Sequence, residues 1–182
     1  MLGRPFRCCM ESMDSSARTC SFKQSKLGSK ASVGVDTTWL CHRFTLVGGQ
    51  DTSQPLPYDP SSTVKAQVRS SFATSLRQLR TTYPNSYILH SPLETYAKTL
   101  EAWRVFVRFQ DEGRVRVIGL SNAYDPTLLS RLGRDSGRTV QVVQNRWYER
   151  NGWDRKVVEW CRTNDAQYQL GCGFCHSPRV TT

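Results

Sequence analysis

The 182-residue sequence lacks several features that define common classes of protein. No apolar run approaches the roughly 20 residues of a membrane-spanning helix, so we expect no membrane partner. Residues 1–32 contain no apolar segment of the kind found in secretory signal peptides. The seven cysteines are odd in number and irregularly spaced, which argues against a disulfide framework. Together these absences predict a protein of a reducing, cytoplasmic compartment.

The glycine motifs that cradle phosphates are also missing. Neither G-x-x-x-x-G-K-[ST] nor G-x-G-x-x-G occurs, and the pair at 48–49 is typical of a turn after a strand. One metal-type motif is present, because residues 172–176 (Cys-Gly-Phe-Cys-His) match the C-x-x-C-H pattern of haem attachment. Haem attachment needs an export signal and a helical pocket, and zinc would need a fourth ligand from a distant residue such as Cys8 or Cys9. We therefore predict no metal site.

Positive charge is in excess, with 25 Lys and Arg against 15 Asp and Glu and a net charge of +10. Such a balance is compatible with an anionic partner, which could be a nucleic acid, a membrane surface or a phosphorylated cofactor. The charges are spread along the chain, however, and many fall where helix surfaces are expected. This distribution favours a solvated basic exterior over a nucleic-acid interface.

The sequence divides into three parts. Residues 1–36 have neither a helical nor a strand period and are predicted to be a disordered leader, and residues 172–182 are predicted to be an unstructured tail. Residues 37–171 alternate strand and helix candidates. Strands are predicted at 38–45, 87–89, 115–120, 140–143 and 167–170. Helices are predicted from a cap at Ser61 or Ser62 to Leu79, and at 94–112, 125–132 and 153–162, with Gly113 and Gly133 as C-terminal stops.

Five strands that alternate with four helices indicate parallel βα units. In such folds the loops after the strands converge on one face, where chemistry collects. Three consecutive strand candidates end in polar side chains, which are His90, then Ser121 and Asn122, then Gln144. Taken one at a time, these residues could simply cap turns, because serine and asparagine are common after strands and His-Ser-Pro is a plausible turn. Their repetition at matching strand ends predicts a functional row.

The chemistry of this row fits a carbonyl and an amide. A neutral histidine can donate a hydrogen bond to a carbonyl oxygen and orient it. Serine, asparagine and glutamine side chains supply the donors and acceptors that hold a primary amide, such as the carboxamide of nicotinamide.

The motifs around the row resemble one known family. Residues 87–92 (Tyr-Ile-Leu-His-Ser-Pro), Trp103, residues 111–122 (Asp-Glu-Gly-Arg-Val-Arg-Val-Ile-Gly-Leu-Ser-Asn) and residues 142–145 (Val-Val-Gln-Asn) are similar to aldo-keto reductases in order and spacing. The resemblance covers about residues 38–170. It implies an α/β fold that forms part of a (β/α)8 TIM-type barrel, with about five of the eight βα units present. It also implies transfer of a hydride from NADPH to a small aldehyde or ketone.

The resemblance also implies roles for individual residues. His90 would be the histidine that orients the carbonyl, and Ser121, Asn122 and Gln144 would hold the nicotinamide amide. Arg43 stands where the family has a lysine, and it keeps the positive charge without the ability to deprotonate. The family's tyrosine proton donor should precede this strand, yet the first tyrosine is Tyr58.

Three functional hypotheses follow. The first is an NADPH-dependent carbonyl reductase, and the loop at 48–51, which resembles fungal members, suggests a secondary-metabolite pathway. The second is a truncated, catalytically inactive remnant of such an enzyme or a non-catalytic binding protein, because a barrel of eight strands typically needs about 250 residues. The third, an unrelated basic binding protein, is disfavoured by the motifs. No oligomeric state is predicted.

Overall fold

The computed structural model describes the backbone of residues 9–10, 20–21 and 41–170. Two short strands, β1 (Cys9–Met10) and β2 (Cys20–Ser21), pair antiparallel within the leader, where the sequence predicted no strand. The C-x-x-C-H motif at 172–176, the remainder of the leader and the tail at 172–182 lie outside the described residues, so the predictions made for them stay predictions.

A parallel sheet of five strands forms the main body of the chain. The strands are β3 (Cys41–Phe44), β4 (Ser86–Leu89), β5 (Val117–Ser121), β6 (Val142–Asn145) and β7 (Gln167–Leu170). They lie side by side in the order of the sequence, and every neighbouring pair is parallel. A doubly wound sheet would reverse its strand order part-way, whereas a (β/α) barrel keeps sequence order throughout. The predicted α/β class and the five strands are confirmed.

Four helices connect these strands: α1 (Val64–Leu79), α2 (Tyr96–Asp111), α3 (Pro126–Ser136) and α4 (Arg155–Thr163). Each helix contacts the next, from α1 through α4, so they form one layer against the sheet. The core between them is aromatic. Tyr87 on β4 stacks on Phe106 of α2 at 4.5 Å and meets Phe72 of α1 edge-on at 4.9 Å. Burial of such rings is the main source of stability in a domain of this size. None of the helices in the described part of the chain is long and apolar enough to cross a membrane.

The sequence predicted the wrong cap for α1. Thr63 is the N-cap, and its side chain accepts a hydrogen bond of 3.3 Å from the backbone N–H of Ala66. Ser61 and Ser62 are instead bonded to Asp59 in the turn before the helix. All three hydroxyl residues are good caps, so composition alone does not choose among them.

The boundaries of the other helices also differ from the prediction, and α2 runs from Tyr96 to Asp111 rather than from 94 to 112. The α3 helix does not stop at Gly133 but continues to Ser136 and ends at Gly137, whose φ of 72° is the left-handed conformation that ends many helices. The α4 helix begins at Arg155 rather than Trp153, because Trp153 and Asp154 both have positive φ values. A short 3-10 helix (Glu149–Asp154) precedes it.

Candidate functional site

The carboxyl ends of β4, β5 and β6 bring the predicted row together. Leu89 pairs with Leu120 and Ser121 pairs with Gln144, so the three strands end at the same level. The Ser121 hydroxyl donates a hydrogen bond of 2.6 Å to the backbone carbonyl of Gln144. The Asn122 amide donates one of 2.8 Å to the backbone carbonyl of His90. The side chains of Ser121 and Asn122 therefore join the backbones of three neighbouring strand ends.

Asn122 sits in a backbone conformation that few residues adopt. Its φ is 52°, in the left-handed region where asparagine is tolerated better than most residues with a Cβ. Its backbone N–H donates to the Gln144 carbonyl at 3.2 Å, which extends the β5–β6 pairing by one residue. The chain turns sharply at this point, and the turn directs the Asn122 amide back toward His90.

The side chain of Gln144 offers a free hydrogen-bond acceptor to a ligand. Its side chain is buried, and its Oε1 atom has no hydrogen-bond partner among the described residues. Its Nε2 atom donates only a long bond of 3.3 Å to Gln169 Oε1. A buried carbonyl oxygen without a partner is energetically unfavourable and is common where a ligand or water binds. The carboxamide N–H of a nicotinamide ring is a donor of the type that this oxygen lacks, so the residues present fit that group.

A cavity of about 530 Å³ lies beside His90. It is lined by the loop at 45–49 after β3, by Leu93 in the segment before α2, and by the first turns of α1 and α2, including Val64 and Lys98. A Cβ atom at Gly49 would lie 3.4 Å from His90 Nδ1 and 2.8 Å from the Thr45 methyl group. Gly49 thus lets the loop approach the imidazole closely. The volume is in the range of small-molecule sites.

Arg43 shares a face of the sheet with the row. It pairs with Ile88, two residues before His90. Its neighbours His42 and Phe44 are buried, and Phe44 belongs to the core beneath the helices. Because side chains alternate along a strand, Arg43 points to the opposite face, where the Ser121 and Gln144 side chains lie.

Tyr58 is not positioned to act as the tyrosine proton donor that the family resemblance implies. Its hydroxyl donates to the Thr45 carbonyl at 2.8 Å and accepts from Gln50 Nε2 at 3.0 Å. Its ring packs against Phe44 in the core, with 5.5 Å between ring centres. Burial raises the pKa of the Tyr58 hydroxyl, which disfavours its ionised form further. The side chain is absent from the lining of the cavity.

Sequence reasoning gave no role to Asn145, the residue that anchors the loop after β5. Its Oδ1 atom accepts from the Ala123 N–H at 3.0 Å, and its Nδ2 atom donates to the Ala123 carbonyl at 2.8 Å. The same Nδ2 donates to Asp154 at 2.7 Å. Asn145 is completely buried, so these bonds fix the residue that follows Asn122. A polar residue at the last position of a buried strand was the available signal.

Within residues 41–170 and the two short strands, no three histidine, cysteine, aspartate or glutamate side chains are grouped to hold a metal ion.

The comparison with known proteins agrees with this geometry. The model of the aldo/keto reductase family matches residues 54–168, which is more than half of the chain. The chain belongs to the aldo/keto reductase family. An aldo-keto reductase of Mycolicibacterium smegmatis is 31% identical over 75 residues, which cover 41% of this chain and 27% of that protein. The uncharacterized oxidoreductase YtbE of Bacillus subtilis is 42% identical over 53 residues, covering 29% of this chain and 18% of YtbE.

Solved structures of family members share the fold. The aldo/keto reductase from Brucella melitensis has a TM-score of 0.62 and 23% identity, and the match covers 77% of this chain and 48% of that one. The Bombyx mori aldo-keto reductase in complex with NADP has a TM-score of 0.57 and 20% identity, with coverage of 82% and 46%. The prediction of a partial (β/α)8 barrel is therefore confirmed. The chain spans less than half the length of these structures and about a quarter or less of the curated relatives that it matches.

Proposed function

We propose that this aldo/keto reductase family member binds NADPH and reduces a small aldehyde or ketone. Bound NADPH supplies the hydride. In this proposal Gln144 Oε1 accepts from the nicotinamide carboxamide, while Ser121 and Asn122 hold the other side of the same group. His90 faces the cavity and orients the carbonyl oxygen. The pathway would be one that modifies a carbonyl-bearing metabolite, as in secondary metabolism.

The buried, unpartnered Oε1 atom of Gln144 is the observation that carries this proposal. The Ser121 hydroxyl bonds to the Gln144 backbone carbonyl and the Asn122 amide to the His90 backbone carbonyl, so the row is ordered while this one buried acceptor lacks a partner. The Bombyx mori relative was solved with NADP, which supports the same class of cofactor here.

A second candidate is binding of NADPH without turnover. Arg43 favours it, because a guanidinium keeps its proton at all ordinary pH values and cannot take part in proton transfer. Tyr58 has its hydroxyl committed to Thr45, so it does not supply the proton. Loss of general acid catalysis typically lowers a rate by about 10²- to 10⁴-fold. In this second candidate the chain keeps the row of His90, Ser121, Asn122 and Gln144, which we call the cofactor row, and lacks the proton donor.

A titration of the purified chain with NADPH, followed by the fluorescence of the reduced nicotinamide, tests cofactor binding. Gln144→Met should weaken binding about 5- to 10-fold, because it removes one buried hydrogen bond. Gln110→Met is the matched control. Gln110 also has an unpartnered Oε1 atom, but it lies on α2 and bonds to Gln141 and the Arg116 carbonyl, away from the row.

One further assay distinguishes the two candidate functions. Turnover of a generic aldehyde with NADPH supports the reductase, and binding without turnover supports the second candidate. Absence of NADPH binding by the wild-type chain refutes both. Equal losses in Gln144→Met and Gln110→Met would remove the role given to Gln144.

A further inference from the structure

Two exposed tryptophans lie together in the loop that follows β6. The rings of Trp147 and Trp153 are 4.6 Å apart at their centres and tilted by 51°. Trp147 is 50% exposed, Trp153 is 36% exposed and Tyr148 between them in sequence is 45% exposed. Single exposed aromatics are ordinary, but grouped ones mark binding surfaces more often than stability. We name Trp147 and Trp153 the aromatic platform.

The backbone beneath the platform is strained. Gly152, Trp153 and Asp154 have successive φ values of 62°, 59° and 49°, and only the glycine adopts such values freely. The conformation is held by Asp154, whose buried carboxylate accepts hydrogen bonds of 2.7 Å from Asn145 and 2.8 Å from the Tyr168 hydroxyl. Strain that the surrounding structure maintains in this way collects at ligand sites.

Hydrogen bonds within the loop also hold it in one conformation. The Trp153 N–H donates to the Tyr148 carbonyl at 3.1 Å. The Asn151 amide donates to the Arg146 carbonyl at 2.6 Å, and its oxygen accepts from the Tyr148 N–H at 3.3 Å. A ligand that meets these rings does not have to order the loop, and such preorganisation raises affinity.

Tyr124 connects the platform to the cofactor row. Its hydroxyl accepts a hydrogen bond of 3.3 Å from the Arg146 N–H, at the residue before Trp147. The same hydroxyl lies 3.5 Å from Asn122 Oδ1. The platform therefore borders the row on the side of β5 and β6, whereas the cavity beside His90 borders it on the side of β3 and β4.

The charges around the platform disfavour a second copy of the chain as its occupant. Arg146, Glu149 and Arg150 are exposed on the same loop, and Arg155 follows at the start of α4, so the patch carries an excess of positive charge. A symmetric dimer would place the same patch against itself and bring this excess charge together. Two tryptophan side chains also fall short of a stable interface of about 1,000 Å² or more.

We infer that the aromatic platform binds the planar ring of an aromatic ketone or aldehyde. This inference deepens the proposed carbonyl reductase function and rests on it, because the platform would give that site its preference for aromatic substrates. A planar ring can stack on an indole face, whereas a saturated ring of the same size lacks the π-face.

The test is calorimetric titration of the whole chain with 2-acetylnaphthalene and with its saturated analogue, 2-acetyldecahydronaphthalene. The aromatic ketone should bind about 5-fold or more tightly than the saturated one, a margin typical of one to two aromatic stacking contacts. Trp147→Ala and Trp153→Ala should each weaken only the aromatic ketone, by about 3- to 10-fold. Tyr83→Ala removes an aromatic of similar exposure (53%) near the amino end of β4 and should change neither affinity.

Equal binding of the two ketones, or losses that Tyr83→Ala reproduces, overturns the inference. Concentration-dependent self-association that Trp147→Ala abolishes, without a preference for the aromatic ketone, assigns the platform to a second copy and also overturns it. If Trp153→Ala does not fold, Trp147→Ala decides, because Trp147 lies outside the strained triplet. A preference that persists when NADPH does not bind supports the platform while the proposed function fails.

Discussion

The side-chain amide of Asn145 and the buried carboxylate of Asp154 are joined by a hydrogen bond of 2.7 Å. This bond couples the end of β6 to the strained triplet before α4, and the other bonds of Asn145 couple β6 to Ala123. One residue thus supports both the cofactor row and the aromatic platform. Burial raises the pKa of Asp154, although Asn145 and Tyr168 offset part of that effect.

We therefore expect Asn145→Ala to destabilise the chain by about 2–4 kcal/mol, because it leaves the buried Ala123 groups without partners and removes one of the two hydrogen bonds to the buried Asp154 carboxylate. Urea unfolding followed by circular dichroism measures this change. Asn164→Ala is the control, since Asn164 makes a single bond to the Trp160 carbonyl at an exposed helix end. Similar losses in the two variants would contradict the central role of Asn145.

A second prediction concerns Gly119 in the middle of β5. A Cβ atom there would lie 2.5 Å from Ile88 Cδ1 and 2.6 Å from the Val142 carbonyl oxygen. The backbone of β6 cannot move away without breaking the sheet, so Gly119→Ala should destabilise by about 1–3 kcal/mol. Gly48→Ala, where nothing lies within 4 Å of the added carbon, should be close to neutral. Thermal unfolding of both variants gives the answer, and equal melting temperatures would show that the strand is not packed as described.

The sequence predicted the ends of β4, β5 and β6 to within two residues, with Ser121 and Gln144 lying in the last residues of their strands and not after them. The alternation of strands and helices predicted the parallel order, and the change from apolar to polar residues marked His90, Ser121 and Gln144. Helix ends were harder, since Gly133 and Gly137 both fit a stop. The nearest atom to a Cβ at Gly133 would be Thr139 Cα at 3.4 Å, because the chain folds back after α3 in a way that helical periodicity alone does not predict.

The support for the site was not predictable from local pattern. Asn145 and Asp154 are nine residues apart and meet only because Trp153 and Asp154 take left-handed conformations. Aspartate is one of the residue types that adopt positive φ more often than most, but tryptophan is not, so residue type alone does not predict this conformation at Trp153. Such a conformation is set by the tertiary bonds that hold it, so it becomes visible only in the folded chain.

His42 gives a prediction for pH. It is 3% exposed on β3 and stacks near Tyr87, with 6.5 Å between ring centres. Burial lowers the pKa of His42 to about 4, and the adjacent backbone of Arg43 offsets only part of this shift. The unfolded chain, with a histidine pKa near 6.5, takes up the proton first as the pH falls. Stability from this residue is therefore present above about pH 6.5 and is lost as the pH falls toward 4.

The size of this loss follows from the same two pKa values. Between pH 7 and pH 5 the free energy of unfolding should fall by about 2 kcal/mol from His42 alone. Urea unfolding at the two pH values measures it. His42→Phe keeps a ring against Tyr87 and cannot titrate, so its stability should fall less over this range. An identical pH dependence in the wild type and His42→Phe would show that His42 is not the titrating group.

Two substitutions of Asn122 distinguish the effect of its backbone conformation on stability from the effect of its side chain on NADPH binding. Asn122→Gly keeps the φ of 52° without strain but removes the amide that donates to the His90 carbonyl, whereas Asn122→Ala removes the amide and adds strain. We expect Asn122→Ala to be less stable than Asn122→Gly by about 1 kcal/mol. Both should weaken NADPH binding by about 5- to 10-fold, because both lose one half-buried hydrogen-bonding group. Thermal unfolding and NADPH titration of the pair measure the two effects separately. Wild-type affinity in Asn122→Gly would mean that the turn, and not the amide, is what the cofactor row requires.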